Sequence, residues 1–367
     1  MKQTFLAVLI VALSALSAHA QQARVIVSPD VLPDGRVTFR LNAPKADEVM
    51  LSGEFLEKPR SFSRDADGVW SVTVGPIAPE VYHYNFTIDG VRTIDPSNPQ
   101  LKTGSTASTI TSVLEIRHPS PAFYDAQPVP HGDIRTHWYH SKSLDSVRRL
   151  TVYTPPGYDK DRSARYPVLY LFHGANADEN AWYRLGRANL ILDNLLATGK
   201  IQPFIVVMPF GYGVPPNGPQ AENTAKFGKD LIEDVIPYIE SNYRAHTDRD
   251  RRAIVGLSMG GGQALSIGLN NIPLFSYVGG FSSGLGNAAN FPKTYAKIAA
   301  NADEANKKLK LVWVGCGTED GAFAGSKSFS EFLSANKIKH TFRETDGAHT
   351  WMVWRRYLNE ISPLLFR

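Results

Sequence analysis

From residue 133 onward, short apolar runs alternate along the chain with stretches of helical period. Continuous apolar runs are typical of strands covered on both faces, and their alternation with helices indicates a parallel sheet. The pattern therefore predicts one α/β domain over residues 133–367. The apolar runs occupy residues 150–153, 168–172, 204–208, 253–257, 277–281 and 309–314, and the helical stretches occupy 186–198, 224–243 and 260–269.

The preceding region has a different pattern, in which apolar and polar residues alternate at every second position. This alternation is typical of strands with one buried face, and the Asp-Gly pairs at strand ends are typical of hairpin turns. We therefore predict a small all-β, immunoglobulin-like sandwich over residues 21–117. Four prolines within residues 118–132 predict a semi-rigid linker. The alternating segments are 37–41, 69–74 and 82–88, and the Asp-Gly pairs begin at Asp34, Asp67 and Asp89.

The first 20 residues have the three parts of a secretory signal. Lys2 precedes an apolar run at residues 5–16, which is shorter than the about 20 residues that a membrane span needs. Ala18, His19 and Ala20 then form a small-x-small cleavage pattern. We predict cleavage after Ala20 and a secreted or periplasmic protein that does not span a membrane. A buried N-terminal helix is the alternative.

The charges and the cysteine content exclude several kinds of partner and cofactor. Lys and Arg number 39 against 35 for Asp and Glu, a net charge of +4 without a basic cluster, so a nucleic-acid partner is not expected. The single cysteine, Cys316, lies in an apolar run and is interpreted as a core residue. His137 and His140 could form a metal pair, but no third ligand accompanies them. We therefore predict neither a metal nor an organic cofactor.

A Gly-x-Ser-x-Gly motif, which places a nucleophilic serine on a turn between a strand and a helix, occurs twice. Ser258 follows one apolar run and precedes a helical stretch, as the motif requires. Ser282 also follows an apolar run, but residues 285–292 are a poor start for a helix. We therefore predict Ser258 as the nucleophile and Ser282 as a residue near the pocket that is not catalytic.

A serine hydroxyl needs a neighbouring base and a group that orients this base. With this motif the acid and the histidine follow the serine in the chain, which leaves His340 and His349 as candidates for the base. His340 lies in a strand-like run, whereas His349 lies in a turn before a helical stretch, so we predict His349 as the base. Asp320, at the end of an apolar run, is the predicted acid, and Glu319 is the second choice.

The anionic intermediate of acyl transfer needs two backbone donors. We predict that the amides of Met259, just after the nucleophile, and Ala175, in the loop after residues 168–172, supply them. His173 is interpreted as a buried residue that holds this loop. The loop at 211–220 is where we expect substrate selectivity. Polar and aromatic residues of this edge of the sheet are candidates for substrate contacts, namely Asn176, Trp182, Phe210 and Trp351.

Seven stretches of the second region carry a resemblance to a known family: YTPPGY at 153–158, YPVLYLFHG at 166–174, GRAN at 186–189, IPYIE at 236–240, AIVGLSMGGG at 253–262, CGTED at 316–320 and GAH at 347–349. Residues 133–367 closely resemble carbohydrate esterase family 1, especially bacterial feruloyl esterases. The resemblance implies an α/β-hydrolase fold, a triad at Ser258, Asp320 and His349, and a feruloylated xylan or xylo-oligosaccharide as substrate. The stretches 68–70, 82–84 and 95–98, with Val91, resemble the isoamylase-type domain grouped with family 48 carbohydrate-binding modules.

Other functions remain compatible with these residues. They include an acetylxylan esterase, a siderophore esterase of the enterochelin type, an enzyme that transfers the acyl group to another hydroxyl, and a sugar-binding protein that has lost activity. The intact serine, base, acid and oxyanion loop favour an enzyme over the last of these. The sequence leaves open the preferred acyl group, sugar binding by the N-terminal domain, the oligomeric state, and export to the periplasm or the medium.

Overall fold

The structure is a computed structural model, and it describes residues 25–103 and 109–367. The predicted signal at residues 1–20 lies outside the described residues. Within them, an all-β region is followed by a mixed eight-stranded sheet with helices on both faces. The fold class expected from the sequence, an α/β-hydrolase domain preceded by a β-sandwich, is confirmed.

The all-β region consists of short strands, all of them paired antiparallel. They are β1 (Asp30–Val31), β2 (Val37–Asn42), β3 (Val49–Gly53), β4 (Arg60–Ser61), β5 (Ser63–Arg64), β6 (Val69–Val74), β7 (Glu80–Ile88), β8 (Val91–Thr93), β9 (Leu101–Lys102) and β10 (Thr111–Ile116). One sheet has the order β1-β2-β6-β5, and the other has the order β4-β3-β7-β10-β9 with β8 paired to β7.

Aromatic side chains fill the space between these two sheets. Phe39 of β2 lies 4.9 Å from the ring of Tyr84 and 6.4 Å from that of Phe86, both on β7 in the opposite sheet. The turn between β7 and β8 has positive φ at both Asp89 (47°) and Gly90 (82°), as a two-residue hairpin of this twist requires. The alternating segments and the Asp-Gly turn of the sequence therefore occur where they were predicted.

The predicted linker is in contact with the second domain along much of its length. Tyr124 is buried, and Asn194 donates hydrogen bonds of 2.9 Å to the carbonyl oxygens of Phe123 and Asp125. These contacts fix the proline-rich segment to a helix of the α/β domain, so the segment follows a defined path between the two domains.

The second region forms one sheet in the order β11-β12-β14-β13-β15-β16-β17-β18. Its strands are β11 (Asp133–Ser141), β12 (Ser146–Thr154), β13 (Val168–Phe172), β14 (Ile205–Pro209), β15 (Arg252–Leu257), β16 (Tyr277–Phe281), β17 (Leu311–Gly317) and β18 (Thr341–Thr345). The six strands from β14 to β18 in this order are parallel, which confirms the predicted parallel sheet. β11 and β12 add an antiparallel hairpin at one edge.

Helices cover both faces of this sheet. They are α1 (Ala181–Arg184), α2 (Ala188–Ala197), α3 (Gln220–Asp230), α4 (Ile236–Asn242), α5 (Ser258–Asn270), α6 (Phe291–Thr294), α7 (Ala296–Ala300), α8 (Ala302–Lys308), α9 (Phe323–Ala335) and α10 (Trp351–Ile361). Adjacent residues of a strand point to opposite faces, so Ile254 of β15 packs with Leu265 of α5, whereas Val255 packs in the cluster that contains Leu358 of α10. Both faces are therefore apolar, which explains the continuous apolar runs.

The helical stretch predicted at residues 224–243 is divided into parts. α3 is followed by a π-helical turn at Leu231–Val235 and then by α4. Pro237, at the start of α4, lacks the N–H that would continue the regular helical pattern, which accounts for a wider turn just before it. None of the helices in the described part of the chain has the length and apolarity needed to cross a membrane.

Candidate active site

Ser258 lies at the junction of β15 and α5, the position that the motif predicts. Its φ is 53°, in the left-handed region that a residue other than glycine adopts only under local constraint. The flanking glycines are required because a side chain at either position would collide with the backbone. A Cβ atom on Gly256 would lie 2.2 Å from the carbonyl oxygen of Gly260, and a Cβ atom on Gly260 would lie 2.4 Å from the carbonyl oxygen of His173. The strand, the helix and the neighbouring loop therefore approach closely only because these positions have no side chain.

Ser258, His349 and Asp320 form one hydrogen-bonded line at the carboxyl ends of the parallel strands. The Oγ of Ser258 lies 2.9 Å from Nε2 of His349, and Nδ1 of His349 lies 2.9 Å from each carboxylate oxygen of Asp320. An ionised carboxylate only accepts hydrogen bonds, so Nδ1 carries the proton and Nε2 of the neutral ring is left to accept one from the serine. The structure thus unites the three residues that the sequence selected.

The alternative candidates lie elsewhere or have other partners. Glu319 is exposed, and its amide donates to the carbonyl oxygen of Gly347. His340 contacts Ser330 Oγ at 2.8 Å and the carbonyl oxygen of Ile338 at 2.9 Å. Neither residue belongs to the line that contains Ser258.

The surroundings of Asp320 favour its charged form. Burial acts to raise the pKa of this carboxyl, but hydrogen bonds from His349, from Ser282 and from the amide of Ala322 at 2.8 Å outweigh burial and hold the pKa below its usual range. The side chain of Asp320 is fully buried, whereas that of His349 is 43% exposed. A fixed negative charge thus lies behind an imidazole that a ligand can approach.

Two residues for which the sequence predicts no catalytic role, Ser282 and Trp354, support this carboxylate and imidazole. The indole N–H of Trp354 donates to Ser282 Oγ at 3.0 Å, and the Ser282 hydroxyl is one of the groups that lower the pKa of Asp320. The ring of Trp354 also meets the ring of His349 edge-on, with centroids 4.9 Å apart. A signal was present in the second Gly-x-Ser-x-Gly motif, whose serine ends the strand next to β17.

The loop after β13 lies against the nucleophile. A Cβ atom on Gly174 would be only 3.1 Å from Cβ of Ser258, so the two segments are in contact. Across residues 25–103 and 109–367, the backbone N–H groups of Ala175 and Met259 have no hydrogen-bond acceptor. Two free amides beside the serine are what an oxyanion site needs, and their catalytic role stays a prediction.

His173 connects this loop with the segment after β14. Its Nδ1 donates to the carbonyl oxygen of Gly174 at 2.7 Å, and its Nε2 accepts from the amide of Gly211 at 2.9 Å. Burial lowers the pKa of His173 to about 4, so the ring is neutral at ordinary pH. This geometry agrees with the interpretation of His173 as a residue that holds the turn.

Arg148 holds the backbone of the same segment from the other side. Its guanidinium donates to the carbonyl oxygens of Phe210 at 2.5 Å and of Tyr212 at 2.7 Å. The hydroxyl of Tyr212 in turn accepts a 2.7 Å hydrogen bond from the amide of Asn176. Asp230, buried 3.1 Å from the guanidinium, balances the charge. The loop that includes Ala175 is therefore held by the segment after β14, and Arg148 of β12 holds that segment in turn.

The predicted substrate contacts divide into two groups. Asn176 is exposed and Phe210 is half-buried beside Tyr212, so both have surface that a ligand can reach, and their contact with a substrate stays a prediction. Trp182 is 1% exposed and Trp351 is 5% exposed, and their rings pack edge-on with centroids 5.3 Å apart. Because Trp182 also donates its indole N–H to the carbonyl oxygen of Phe172, both indoles belong to the core beneath the site. Their burial does not support the predicted contacts with a substrate.

The residues considered for metal binding or reactivity have other environments. Within the described ranges, no group of three or more His, Cys, Asp or Glu side chains is arranged to hold a metal ion. His137 bonds to the hydroxyl of Tyr243. Cys316 is buried in β17, and burial raises its pKa to about 11, so it is an unreactive core residue.

Curated proteins with similar sequences include two xylan-degrading enzymes. The endo-1,4-beta-xylanase/feruloyl esterase of Xylanibacter ruminicola is 35% identical over 92% of this chain and 46% of its own length. Endo-1,4-beta-xylanase Y of Acetivibrio thermocellus is 26% identical over 61% of this chain and 22% of its own length. The chain spans about half the length, or less, of these relatives.

Solved structures of esterases are similar to this chain in fold. A CE1 ferulic acid esterase of Anaeromyces mucronatus, in complex with ferulic acid, is 26% identical and has a TM-score of 0.58, with 69% of this chain and 98% of that chain covered. The enterochelin esterase of Shigella flexneri has a TM-score of 0.68 over 91% of this chain and 93% of that chain, but at 19% identity it shows a shared fold alone. The model of a family described as putative esterase matches residues 141–365, more than half of the sequence, and the chain therefore belongs to this esterase family.

Proposed function

We propose that this protein is a serine carboxylesterase that releases hydroxycinnamoyl groups, such as feruloyl, from plant cell-wall xylan or xylo-oligosaccharides. The observation that carries the proposal is the line from Ser258 through His349 to Asp320, with each contact at 2.9 Å. The sequence relatives support the choice of acyl group and polysaccharide, because one is named for both xylanase and feruloyl esterase activity.

In the proposed mechanism, His349 takes the proton of Ser258 as the serine oxygen attacks the ester carbonyl. The negative charge that develops on the carbonyl oxygen is held by the amides of Met259 and Ala175. As the bond between the carbonyl carbon and the sugar oxygen breaks, His349 gives its proton to that oxygen, which leaves as a hydroxyl, and a water molecule then hydrolyses the acyl-enzyme by the same route. Asp320 keeps the proton on Nδ1 and stabilises the imidazolium while it exists.

The mechanism is tested by the variant Ser258→Ala. We expect turnover of methyl ferulate to fall by roughly 10⁴-fold or more, with the folded state unchanged. A fluorophosphonate probe should label the wild type and should not label this variant. Near-normal turnover in Ser258→Ala, or a wild type that the probe does not label, would reject the mechanism; the second result would favour a sugar-binding protein without activity.

The substrate is tested by measuring rates on methyl ferulate, acetylated xylan and a catecholate trilactone side by side. The proposal predicts the highest kcat/KM on the feruloyl ester. A higher kcat/KM on acetylated xylan would change the proposed acyl group from feruloyl to acetyl and would leave the proposed mechanism unaltered. Preference for the trilactone would favour the siderophore esterase function. Added alcohols that become acylated would indicate acyl transfer in place of hydrolysis.

We also propose that residues 1–20 direct export and are removed, so that the mature chain begins at Gln21 and comprises a sandwich at 21–117, a linker at 118–132 and the esterase domain at 133–367. The composition of residues 1–20 supports this proposal. N-terminal sequencing of protein recovered from the periplasm or the medium should start at Gln21. Recovery of only cytoplasmic protein that begins at Met1 would contradict it.

A further inference from the structure

Two arginines of the α/β domain extend to two glutamates of the sandwich. Arg355 bonds to Glu80 at the start of β7, and Arg187 bonds to Glu115 on β10 at 2.7 Å. β7 and β10 are neighbours, and Glu80 is paired in register with Ile116, the residue after Glu115. Both ion pairs therefore lie at the same end of the larger sandwich sheet and join it to the esterase domain.

Arg355 is the more enclosed of the two cations. It is 0% exposed, its Nη1 donates to the carbonyl oxygen of Leu185 at 2.9 Å, and its guanidinium lies 4.6 Å from the ring centre of Tyr124. A buried cation is strongly unfavourable unless a charge opposes it, and the sandwich provides that charge through Glu80. The position of Arg355 thus depends on a residue of the N-terminal domain.

Arg355 lies on α10, the helix that follows His349 in the chain. Its neighbour Trp354 packs edge-on against the ring of His349, with centroids 4.9 Å apart, and bonds to Ser282. Trp351, the first residue of α10, lies so close to Gly186 that a Cβ atom there would be 2.7 Å from its ring. A shift or rotation of α10 would therefore move the surface against which the imidazole is held.

We propose that the N-terminal sandwich positions His349 for proton transfer, with Glu80 and Arg355 as positioning residues that act through α10. This inference rests on the proposed role of His349 as the base. Glu80 anchors Arg355, Arg355 fixes α10, and Trp354 on α10 holds the imidazole in line with Ser258. Proton transfer needs the base within hydrogen-bond reach, and a displacement of about 1 Å can reduce a rate by roughly 10²-fold.

The central test compares Glu80→Gln with Asp30→Asn. The first change removes the charge that faces Arg355 and keeps the shape of the side chain. The second removes a carboxylate that bonds Arg40, another residue of the sandwich, at 2.9 Å. We expect kcat on methyl ferulate to fall by about 10-fold in Glu80→Gln, with KM unchanged, and to stay at the wild-type value in Asp30→Asn.

Rates are expressed per active site titrated with a fluorophosphonate, so that loss of folded protein does not count as loss of rate. A merely structural ion pair would reduce the number of titrated sites and leave the rate per site unchanged. If Glu80→Gln does not fold, Glu80→Asp makes the same comparison, because it keeps the charge and withdraws the carboxylate by one methylene group.

A double-mutant cycle tests whether the two residues act as a unit. We expect Glu80→Gln combined with Arg355→Gln to reduce kcat per titrated site no further than Arg355→Gln alone. Additive effects, or full kcat in both Glu80 variants, would overturn the inference. A wild type that the probe fails to label would instead reject the proposed function, so the two failures are distinct.

Discussion

The buried Ser282, which contacts Trp354 and influences Asp320, allows a quantitative test of how the candidate acid is held. Ser282 is fully buried, its Oγ accepts the indole N–H of Trp354 at 3.0 Å, and its hydroxyl is one of the groups that lower the pKa of Asp320. The change Ser282→Ala removes the hydroxyl that does both. It leaves Asp320 with its bonds from His349 and from the amide of Ala322, so the carboxylate keeps two of its partners.

The expected cost follows from these partners. Leaving a buried indole N–H without an acceptor costs about 1–3 kcal/mol, and the loss of a hydroxyl that stabilises the charged form of Asp320 increases this cost. Because the two losses share one site and are not additive, we expect the free energy of unfolding to fall by about 2–3 kcal/mol. The pKa of Asp320 should rise, since one of the bonds that lower it is gone.

The effect on catalysis should be moderate. Asp320 remains ionised at neutral pH and still bonds Nδ1 of His349, so a loss of about 10-fold in kcat is expected, which corresponds to about 1.4 kcal/mol of transition-state stabilisation. A loss as large as that expected for removing the carboxylate itself would mean that the serine has a direct catalytic role.

The adjacent Ser283 provides the matched control. It is 3% exposed, and its hydroxyl has no hydrogen-bond partner within the part of the chain that the structure describes. Ser283→Ala should change the free energy of unfolding by less than about 0.5 kcal/mol and leave kcat unchanged. Urea unfolding and hydrolysis of methyl ferulate would be measured for both variants. Equal effects of the two changes, or wild-type behaviour of Ser282→Ala, would show that the Ser282 hydroxyl does not support Asp320.

Three further changes have defined outcomes. Asp320→Asn should lower kcat on methyl ferulate by roughly 10³–10⁴-fold with little change in KM, because the amide no longer fixes the proton on Nδ1 of His349; a loss of less than tenfold would contradict this. Burial holds the pKa of His173 at about 4 against 6.5 for a free histidine, so its contribution to stability is complete above about pH 6.5 and is lost as the pH falls towards 4. Urea unfolding of the wild type should therefore show a fall of about 3 kcal/mol from this residue over that interval, and His173→Gln should lack it. Gly260→Ala places a Cβ atom 2.4 Å from the carbonyl oxygen of His173, so it should lower the free energy of unfolding by about 1–3 kcal/mol and remove most of the activity. Gly325→Ala is the control, because a Cβ atom at Gly325 has no other atom within 4 Å. This variant should be neutral or slightly stabilising in thermal unfolding.

Much of the fold was predictable because its signals are local. The apolar runs identified the parallel strands, and the residues on each side of Ser258 distinguished the strand–serine–helix turn from the similar motif at Ser282. The choice of His349 over His340 also used only neighbouring residues. In each case the deciding information lies within about a dozen positions, where periodicity and turn composition directly reflect backbone geometry.

Other parts of the site depend on contacts between distant positions. The sequence does not distinguish Trp182 and Trp351 from aromatic residues of exposed loops. Only their packing against each other shows that they are core residues. Trp354 and Ser282 are separated by 72 positions, and Arg355 and Glu80 by 275. No periodic pattern in the sequence indicates that residues so far apart in the chain are in contact.

By itself, the order of residues was enough to indicate two β-rich layers, the parallel sheet and the three side chains proposed to carry out ester hydrolysis. The arrangement that supports those side chains required the folded chain: the buried serine behind Asp320, the tryptophan against His349 and the arginine joined to the sandwich. The physical reason is that hydrogen bonds and ion pairs act over a few ångströms in space, and folding alone decides which distant residues come that close.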